Sequence, residues 1–519
     1  MSKMLERMGQ GPGWIIAALA AVRCAVALAL GFHPFDDTFI TFRYALNLAL
    51  GNGFVYNAGE RVLGTTTPLW ALLLAGFRAV GAPIPAVALG LALIADAVSA
   101  LLILSLLSRL GFPRRVALGA AVLFLALFDD LTIARSGMEA SLFVLLVLAA
   151  LAATAEKRLA LAGLAAGLAC LARPEGLVLL PILCAAGLAG WRRPAGRREA
   201  LFGTLLLALV LGGWALFATR YFGSIVPQSI VAKASHVARD PGLAGFSRMN
   251  LALFLTLGQF GGGIFARTWL QLNVLLTLLA ALAASRLGIA AIRERTEAAF
   301  LRFALPVLFP LGYVAGLATV HAFTWFPWYY GPIYPFAAIL ATIGIEGLAE
   351  GLRRWLGDEA RRRLVPAGLA LLMAAQIVAA VRVKLPADHE FVVAGYRSVA
   401  ASIPRRPGTR VAALEVGAVG WQVWPLPVID LLGLVSPEAV GRLPEETLRS
   451  ALPQYLCLRT DDAGPMLERV ASQGWFPASY ERSLSVRDPW GGRDFVVYQR
   501  RSPDLGAYGA PGQRSRPMP

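Results

Sequence analysis

Long apolar stretches recur along most of this chain, and no other feature restricts its fold so strongly. Trp14–Leu30, Ala86–Leu107, Leu142–Ala155, Leu201–Phe217, Val274–Ala284, Leu301–Val320 and Val365–Val381 are such runs, several of them close to the ~20 residues that cross a bilayer. Lipid cannot hydrogen-bond an open backbone, so the runs must be helices. Over 519 residues, 57% are hydrophobic and 15% charged, an excess that a water-soluble core cannot absorb.

With the N-terminus inside, spans are expected near 13–33, 84–108, 116–130, 138–155, 159–172, 176–190, 200–219, 270–289, 299–320, 332–350 and 364–383. The third and fifth are short for a full crossing. An odd number of crossings, about eleven of ~20 residues, leaves the C-terminus outside. The net charge of +16 does not point to nucleic acid, because the cations sit in short loops between spans: Lys3/Arg7, Arg109/Arg114/Arg115, Lys157/Arg158, Arg192/Arg193/Arg197/Arg198, Arg293/Arg295 and Arg353/Arg354/Arg361–Arg363. Recurrence at alternate loops is the positive-inside pattern, and these loops read as cytoplasmic. Cys24, Cys170, Cys184 and Cys457 have neither metal spacing nor a disulfide framework. The first apolar run lacks a convincing cleavage site and reads as a retained span.

Three regions are expected: a transmembrane domain over 1–385, a C-terminal α/β domain over 386–501, and a Pro-, Gly-, Ser- and Arg-rich tail over 502–519, read as disordered. In the last domain Val411–Leu414, Val428–Leu432, Tyr455–Leu458 and Phe495–Tyr498 read as short buried strands, with a helical stretch at Pro444–Ser450. Two stretches do not span. The first outer loop, 34–83, holds Leu69–Phe77, apolar but too short to cross and expected to lie along the interface; 221–269 holds a polar stretch and a turn at Gly261–Gly263.

The polar residues concentrate at outer helix ends. Asp36 and Asp37 directly follow the first span; adjacent carboxylates beside a membrane repel each other and lose solvent, which raises a pKa or favours a cation and suits a general base. On a helix, Asp36, Arg43 and Asn47 share a face. A helix cap with Arg43 at lipid headgroups explains them equally. Gly51–Val62 and Gly64–Trp70 permit tight turns or close approach of backbone to a ligand; Glu60 there is suited to orient a substrate hydroxyl or simply to be solvated. Ser136-Gly137-Met138-Glu139 has the form of a capping box. Arg173, before Pro174 and Glu175, needs an anionic partner at the membrane boundary, and a lipid phosphate is a natural one. Arg220, Lys233 and His236 either grip phosphate or border the headgroups. The aromatic stretch His321–Tyr330 reads as an interfacial belt or as a surface on which a sugar ring stacks. There is no Walker loop, no His-Glu-x-x-His and no Gly-x-Ser-x-Gly; Gly417-Ala418-Val419-Gly420 only partly matches a dinucleotide turn.

These residues resemble a known family, the polytopic GT-C glycosyltransferases, in particular the AftB-like arabinofuranosyltransferases. The resemblance runs through Asp36–Ala45, Gly51–Asn57, Thr66–Trp70, Ser136–Ala140, Ala172–Gly176, Pro227–Ser229, Gly417–Trp421 and Val428–Leu434. It implies a bacterial inner-membrane enzyme that moves a sugar from a polyprenyl-phosphate donor, on the outer face and with inversion, to a glycan or glycolipid acceptor. By that resemblance Asp36 is the leading catalytic base, with Asp37 its rival or supporting partner. Arg43, Arg173, Arg220 and Lys233 are candidates for the donor phosphate. Asn47, Asn57, Glu60, Glu139, Gln228, His321, Trp325, Trp328 and Tyr329 are candidates for substrate contact. No metal is required by this design, although the paired carboxylates leave room for a divalent cation. The rival reading is a transporter or flippase of lipid-linked saccharides, whose key charges would lie near the bilayer midplane.

Overall fold

Every expected span falls on helix in the computed structural model, which describes residues 13–257, 266–319, 326–382, 388–487 and 494–501. Gly261–Gly263, His321, Trp325, the boundary near 385 and the tail 502–519 lie outside the described residues. The helices are Gly13–Leu30, Ile84–Arg109, Arg114–Ala126 with Phe128–Arg135, Ala140–Ala155, Leu159–Ala172, Leu179–Gly190, Pro194–Phe222, Ala266–Glu294, Glu297–Thr319 and a long one, Tyr334–Arg382, interrupted at Gly357. Among the described residues six are long and apolar enough to cross a membrane, or seven if Arg114–Ala126 and Phe128–Arg135, bent by 54°, form one broken span. The expected number of full crossings is therefore not reached by length. Ala140–Ala155, Leu159–Ala172, Pro174–Gly190 and Arg363–Ala374 are apolar but short; at 1.5 Å per residue, 16 residues make about 24 Å against a hydrocarbon core of about 30 Å.

The break at Leu127 is held by a charge that the sequence reading passed over. Arg23 lies within the first helix, buried, and donates through Nε and Nη2 to Asp96 Oδ2 at 3.1 and 2.6 Å and through Nη2 to Asp130 Oδ2 at 2.5 Å. Its Nη1 donates to the carbonyls of Leu125 and Leu127 at 2.9 and 3.3 Å. A helix that stops at Ala126 loses its next hydrogen-bonded turn at the Leu125 carbonyl, and one guanidinium bonds that oxygen, adds a second donor to the Leu127 carbonyl beside the Leu131 N–H, and neutralises carboxylates on two other helices.

At the other end of the bundle the loops are joined by ion pairs: Arg109–Glu156 at 2.6 Å, Lys157–Glu297 at 2.9 Å and Arg115–Glu346 at 2.5 Å. The basic loops at 109–115 and 156–158 thus share one end, opposite the end where the polar outer segments gather.

The C-terminal region forms a mixed sheet ordered β2-β1-β3-β5-β4, with β1 Val411–Ala413, β2 Val428–Asp430, β3 Tyr455–Arg459, β4 Tyr480–Val486 and β5 Phe495–Arg500. Strand β1 runs parallel to β2 and β3, and β5 antiparallel to β3 and β4. Strand β4 was not expected; it is an edge strand in which Glu481, Arg482 and Ser483 are exposed, so it carries little apolar signal. Side-chain alternation gives the sheet two buried faces. Ala412, Ile429, Leu456 and Val496 pack under the helices Pro444–Ala451 and Thr460–Ala471. Val411, Val428, Cys457 and Val497 join Phe42, Tyr44, Tyr56 and Trp70 of the first outer loop in one apolar cluster. The sheet and that loop are therefore packed as a unit.

Replacing Arg23 with Leu should lower the thermal unfolding midpoint in detergent, since it strands two buried carboxylates at a cost of about 3–5 kcal/mol. An unchanged midpoint would show that the bend does not need the cluster.

Candidate functional site

After the first helix the chain runs through Pro34 and an extended Phe35 (φ −87°, ψ 164°) into the helix Asp36–Ala49, with both aspartates in its first turn, where the helix dipole favours anions. Consecutive helical residues diverge by about 100°, so the two carboxylates face different surroundings. Asp36 accepts from the backbone N–H groups of Gly417, at 3.0 Å, and Ala418, at 2.6 Å. Gly417 has to be glycine, because a Cβ there would collide with the Asp36 backbone carbonyl. Asp37 lines a cavity of about 370 Å³.

That cavity gathers residues from across the chain, including Leu434 of the C-terminal region. Asp37, Ile40 and Thr41 come from the first-loop helix; Gly64–Thr67 from the turn before the helix Pro68–Ala79; Glu139 from the turn before Ala140–Ala155; Arg173 and Glu175 from the link between two short apolar helices; Ser229 and Lys233 from the helix Gln228–Arg239; Tyr313, Trp328 and Tyr329 from the region after 310. Three carboxylates (Asp37, Glu139, Glu175) meet two cations (Arg173, Lys233). Arg173 is held in extended conformation ahead of Pro174 and donates to Glu139 at 3.1 Å and to Glu175 at 3.0 Å. Lys233 Nζ donates to Tyr329 Oη at 3.2 Å, and its charge also acts on Asp37 and Glu175.

The electrostatics follow from burial first and neighbours second. Loss of solvent pushes Asp36 up to about 7, helped by the charge of Asp37 and opposed by the two backbone donors. Burial also raises Asp37, with Lys233 pulling the other way, and raises Glu139 despite Arg173. Burial pushes Glu175 up, but the charge and hydrogen bonds of Arg173 outweigh it and leave Glu175 below the ordinary range. Lys233 is lifted above its ordinary value because Tyr329, Asp37 and Glu175 outweigh its burial, so it stays charged.

Of the expected site residues, Asp37, Glu139, Arg173, Lys233, Trp328 and Tyr329 come together on this cavity. Others do different work. Arg43 is buried away from it, donating to Tyr56 O at 2.8 Å, Leu426 O at 2.7 Å, Asn57 Oδ1 at 3.0 Å and Gly420 O; expected at the donor phosphate, its guanidinium is instead committed to carbonyls between the first loop and the C-terminal region. Asn47 donates to Val55 O and Tyr56 O and accepts from Trp424 Nε1. Asn57 bonds both main-chain groups of Val428, and the exposed Glu60 accepts from Asn57. These buried groups are satisfied within the protein and do not reach the cavity. Arg220 is exposed at a helix end, and Gln228 donates to Gly433 O at 3.3 Å. The capping box expected at Ser136–Glu139 does not form: Ser136 Oγ donates to Ile133 O and accepts from Met138 N, while Glu139 turns to Arg173. A site residue set that sequence reasoning missed is the hydroxyl cluster Thr41, Thr65 and Thr67; the run of three threonines before Pro68 was its only signal.

Residues 387–498 match a family described as Domain of unknown function (DUF8728). The chain is 32% identical to a terminal β-(1→2)-arabinofuranosyltransferase of Mycobacterium tuberculosis, in an alignment covering 40% of this chain and 37% of that protein. It therefore spans little more than a third of that relative's length. Across nearly its whole length it superposes on ArnT from Cupriavidus metallidurans bound to undecaprenyl phosphate, with a TM-score of 0.54, 15% identity, and coverage of 94% of this chain and 98% of ArnT. The archaeal oligosaccharyltransferase AglB from Archaeoglobus fulgidus, solved with an inhibitory peptide and a dolichol-phosphate, gives a TM-score of 0.55 at 11% identity, covering 96% of this chain and 75% of AglB. The two structural likenesses show that this multi-pass membrane protein shares the fold of ArnT and AglB; the aspartates after the first helix sit at the cavity end of the bundle.

Gly417→Ala should part the Asp36 carboxylate from its two donors. Overpacking of this kind costs about 1–3 kcal/mol, so the variant should unfold at lower temperature and expose the C-terminal region to protease sooner than the native chain. Unaltered protease resistance would remove the Asp36–Gly417 contact from the docking.

Proposed function

We propose that the protein is an inverting glycosyltransferase which takes a sugar from a polyprenyl-phosphate donor, with Asp37 as general base. The observation that carries this reading is the convergence of Asp37, Lys233 and Arg173 on one cavity beside apolar space. The acceptor hydroxyl gives its proton to Asp37 as its oxygen attacks the anomeric carbon. The bond from that carbon to the phosphate oxygen breaks, and the departing polyprenyl phosphate gains a negative charge that Lys233 is placed to stabilise. Arg173, already held by Glu139 and Glu175, shapes that wall and contributes a second positive charge. Asp36 was the leading candidate for the base on sequence grounds; its oxygens are engaged by two backbone donors, so we assign it the support of Asp37.

A lipid-linked donor is supported by the space around the site. Leu177, Val178, Ile230, Gly316 and Leu317 form an apolar side of the cavity. Val178 also lines a second cavity of about 540 Å³, with apolar walls such as Ile182, Ala185, Leu301 and Leu305 and charged residues Lys157, Arg193, Glu199 and Glu297; its apolar part is suited to a stretch of polyprenyl chain. The named relatives support the same donor class, ArnT having been solved with undecaprenyl phosphate and AglB with a dolichol-phosphate. Ion-paired basic loops at the far end of the bundle favour a cytoplasmic placement for that end; we accordingly assign the cavity and the C-terminal sheet to the extracytoplasmic side of a bacterial inner membrane, where a glycan or glycolipid acceptor is reached. The charge of the leaving group is met by Lys233 and Arg173. The transporter reading is not favoured, because Arg23, Asp96 and Asp130, charges buried in the bundle, are bonded to one another and line neither of these cavities.

Purified protein incubated with polyprenyl-phosphate sugars and followed by mass spectrometry tests the proposal. Asp37→Asn should lower turnover by about 10²–10⁴-fold, and Asp36→Asn by much less. The base must be ionised, and burial holds Asp37 above the ordinary range, so the rate should climb with pH through a pKa above the usual value of about 4. Full turnover by Asp37→Asn would exclude it as the base.

A further inference from the structure

The cavity has a second polar wall made of hydroxyl groups, with a composition unlike the ionic one. Thr41, Thr65 and Thr67 lie with their Oγ1 atoms 3.1–3.3 Å apart in a closed triangle, and all three line the cavity with Ser229. Hydroxyl–hydroxyl bonds are usually about 2.7–2.8 Å long, so these contacts are slack. Three hydroxyls in a ring donate once and accept once each, which leaves each oxygen one further acceptor position; that of Thr65 is taken by the Thr67 N–H, while those of Thr41 and Thr67 remain. Ser229 is only 8% exposed, and its Oγ has no partner among the described residues, an arrangement costly to a protein unless something else supplies the bond.

The position of this wall is set by helix geometry. Asp37 and Thr41 are four residues apart on one helix, and Ser229 and Lys233 four apart on another, so on each the ionic residue and the hydroxyl residue sit about one turn apart, about 6 Å along the axis. A ligand with its phosphate among the cations therefore extends its next group against the hydroxyls. The third side is Leu434, which comes from the loop after β2. That loop is organised by Asp430, whose carboxylate accepts from the N–H groups of Leu432 and Val435, and it is fastened to the helix Gln228–Arg239 by Gln228 and by His236, whose Nε2 lies 2.8 Å from Leu432 O. It also presses on the threonine turn at Gly64, where a Cβ would lie 3.0 Å from Leu434 O and 2.8 Å from Tyr44 Oη.

We propose that Thr41, Thr67 and Ser229, closed over by Leu434, form the subsite for the ring of the transferred sugar, and that this ring is a neutral polyhydroxylated one. The inference rests on the donor reading given above and adds the substrate class. The open acceptor positions of Thr41 and Thr67 and the unpartnered hydroxyl of Ser229 match ring hydroxyls, whereas the ammonium of an aminosugar calls for a carboxylate. The carboxylates nearby are engaged elsewhere: Asp36 by Gly417 and Ala418, Glu139 and Glu175 by Arg173, and Asp37 by the acceptor proton.

Binding of four short-chain lipids to the full-length protein in detergent tests this: bare polyprenyl phosphate, and the same lipid carrying a neutral pentofuranose, a neutral hexopyranose or an aminopentose. The native protein should bind at least one neutral-sugar lipid more tightly than both the bare and the amino-substituted lipids. Thr41→Val, Thr67→Val and Ser229→Ala should each weaken that binding by about 3–10-fold, the value of one hydrogen bond, and leave bare polyprenyl phosphate unaffected; Thr41→Ser should restore it. Equal weakening for bare and sugar-bearing lipid, or preference for the aminopentose, overturns the subsite. Failure of the native protein to bind any of the four lipids overturns the donor reading itself.

Discussion

The arrangement of the whole outer face depends on one buried guanidinium. Arg43 is 1% exposed, and its nitrogens bond carbonyls from both the first loop (Tyr56) and the C-terminal region (Gly420, Leu426). A buried charge without partners is far more costly than the same charge fully bonded, so the two segments can only separate by leaving this arginine bare. Around it the same junction is repeated in neutral form: Tyr56 Oη donates to Val416 O, Asn57 bonds Val428, and Trp424 donates to Asn47. The apolar cluster shared by Phe42, Tyr56, Val411 and Val428 fills the space between these bonds.

This junction reaches the chemistry through the helix that carries it. Arg43 and Asn47 occupy the later turns of the same helix that begins with Asp36 and Asp37. Anchoring those turns to the C-terminal sheet, and Asp36 to the start of Val416–Gln422, leaves Asp37 little freedom to move relative to Lys233 and Arg173. The C-terminal region is thus part of the cavity's construction, and it also contributes Leu434 to the wall.

Three sets of ionic groups among the described residues have different consequences. The Arg23–Asp96–Asp130 cluster is closed on itself and secures a bend. The Arg109–Glu156 and Lys157–Glu297 pairs are largely exposed, where ion pairs contribute little, and they mark one face of the bundle. The third set, Asp37 with Glu139, Arg173, Glu175 and Lys233, combines burial with an opening, the setting in which shifted pKa values serve catalysis.

The sequence by itself determined the membrane helices and the end of the bundle at which polar residues collect, because hydropathy and the placement of basic loops are local properties that lipid reads directly. It also singled out the Asp36–Asp37 pair, Arg173 and Lys233. Which aspartate faces the cavity, the withdrawal of Arg43 and Asn57 from substrate, the hydroxyl wall at Thr41, Thr65 and Thr67, and the Arg23 cluster were decided only in three dimensions. Each depends on partners far off in the chain: Asp36 meets Gly417, Arg43 meets Leu426, Thr41 meets Thr67, and Arg23 meets Asp130. A residue's own type and neighbours say that it needs a partner, but packing alone decides whether that partner is protein or ligand.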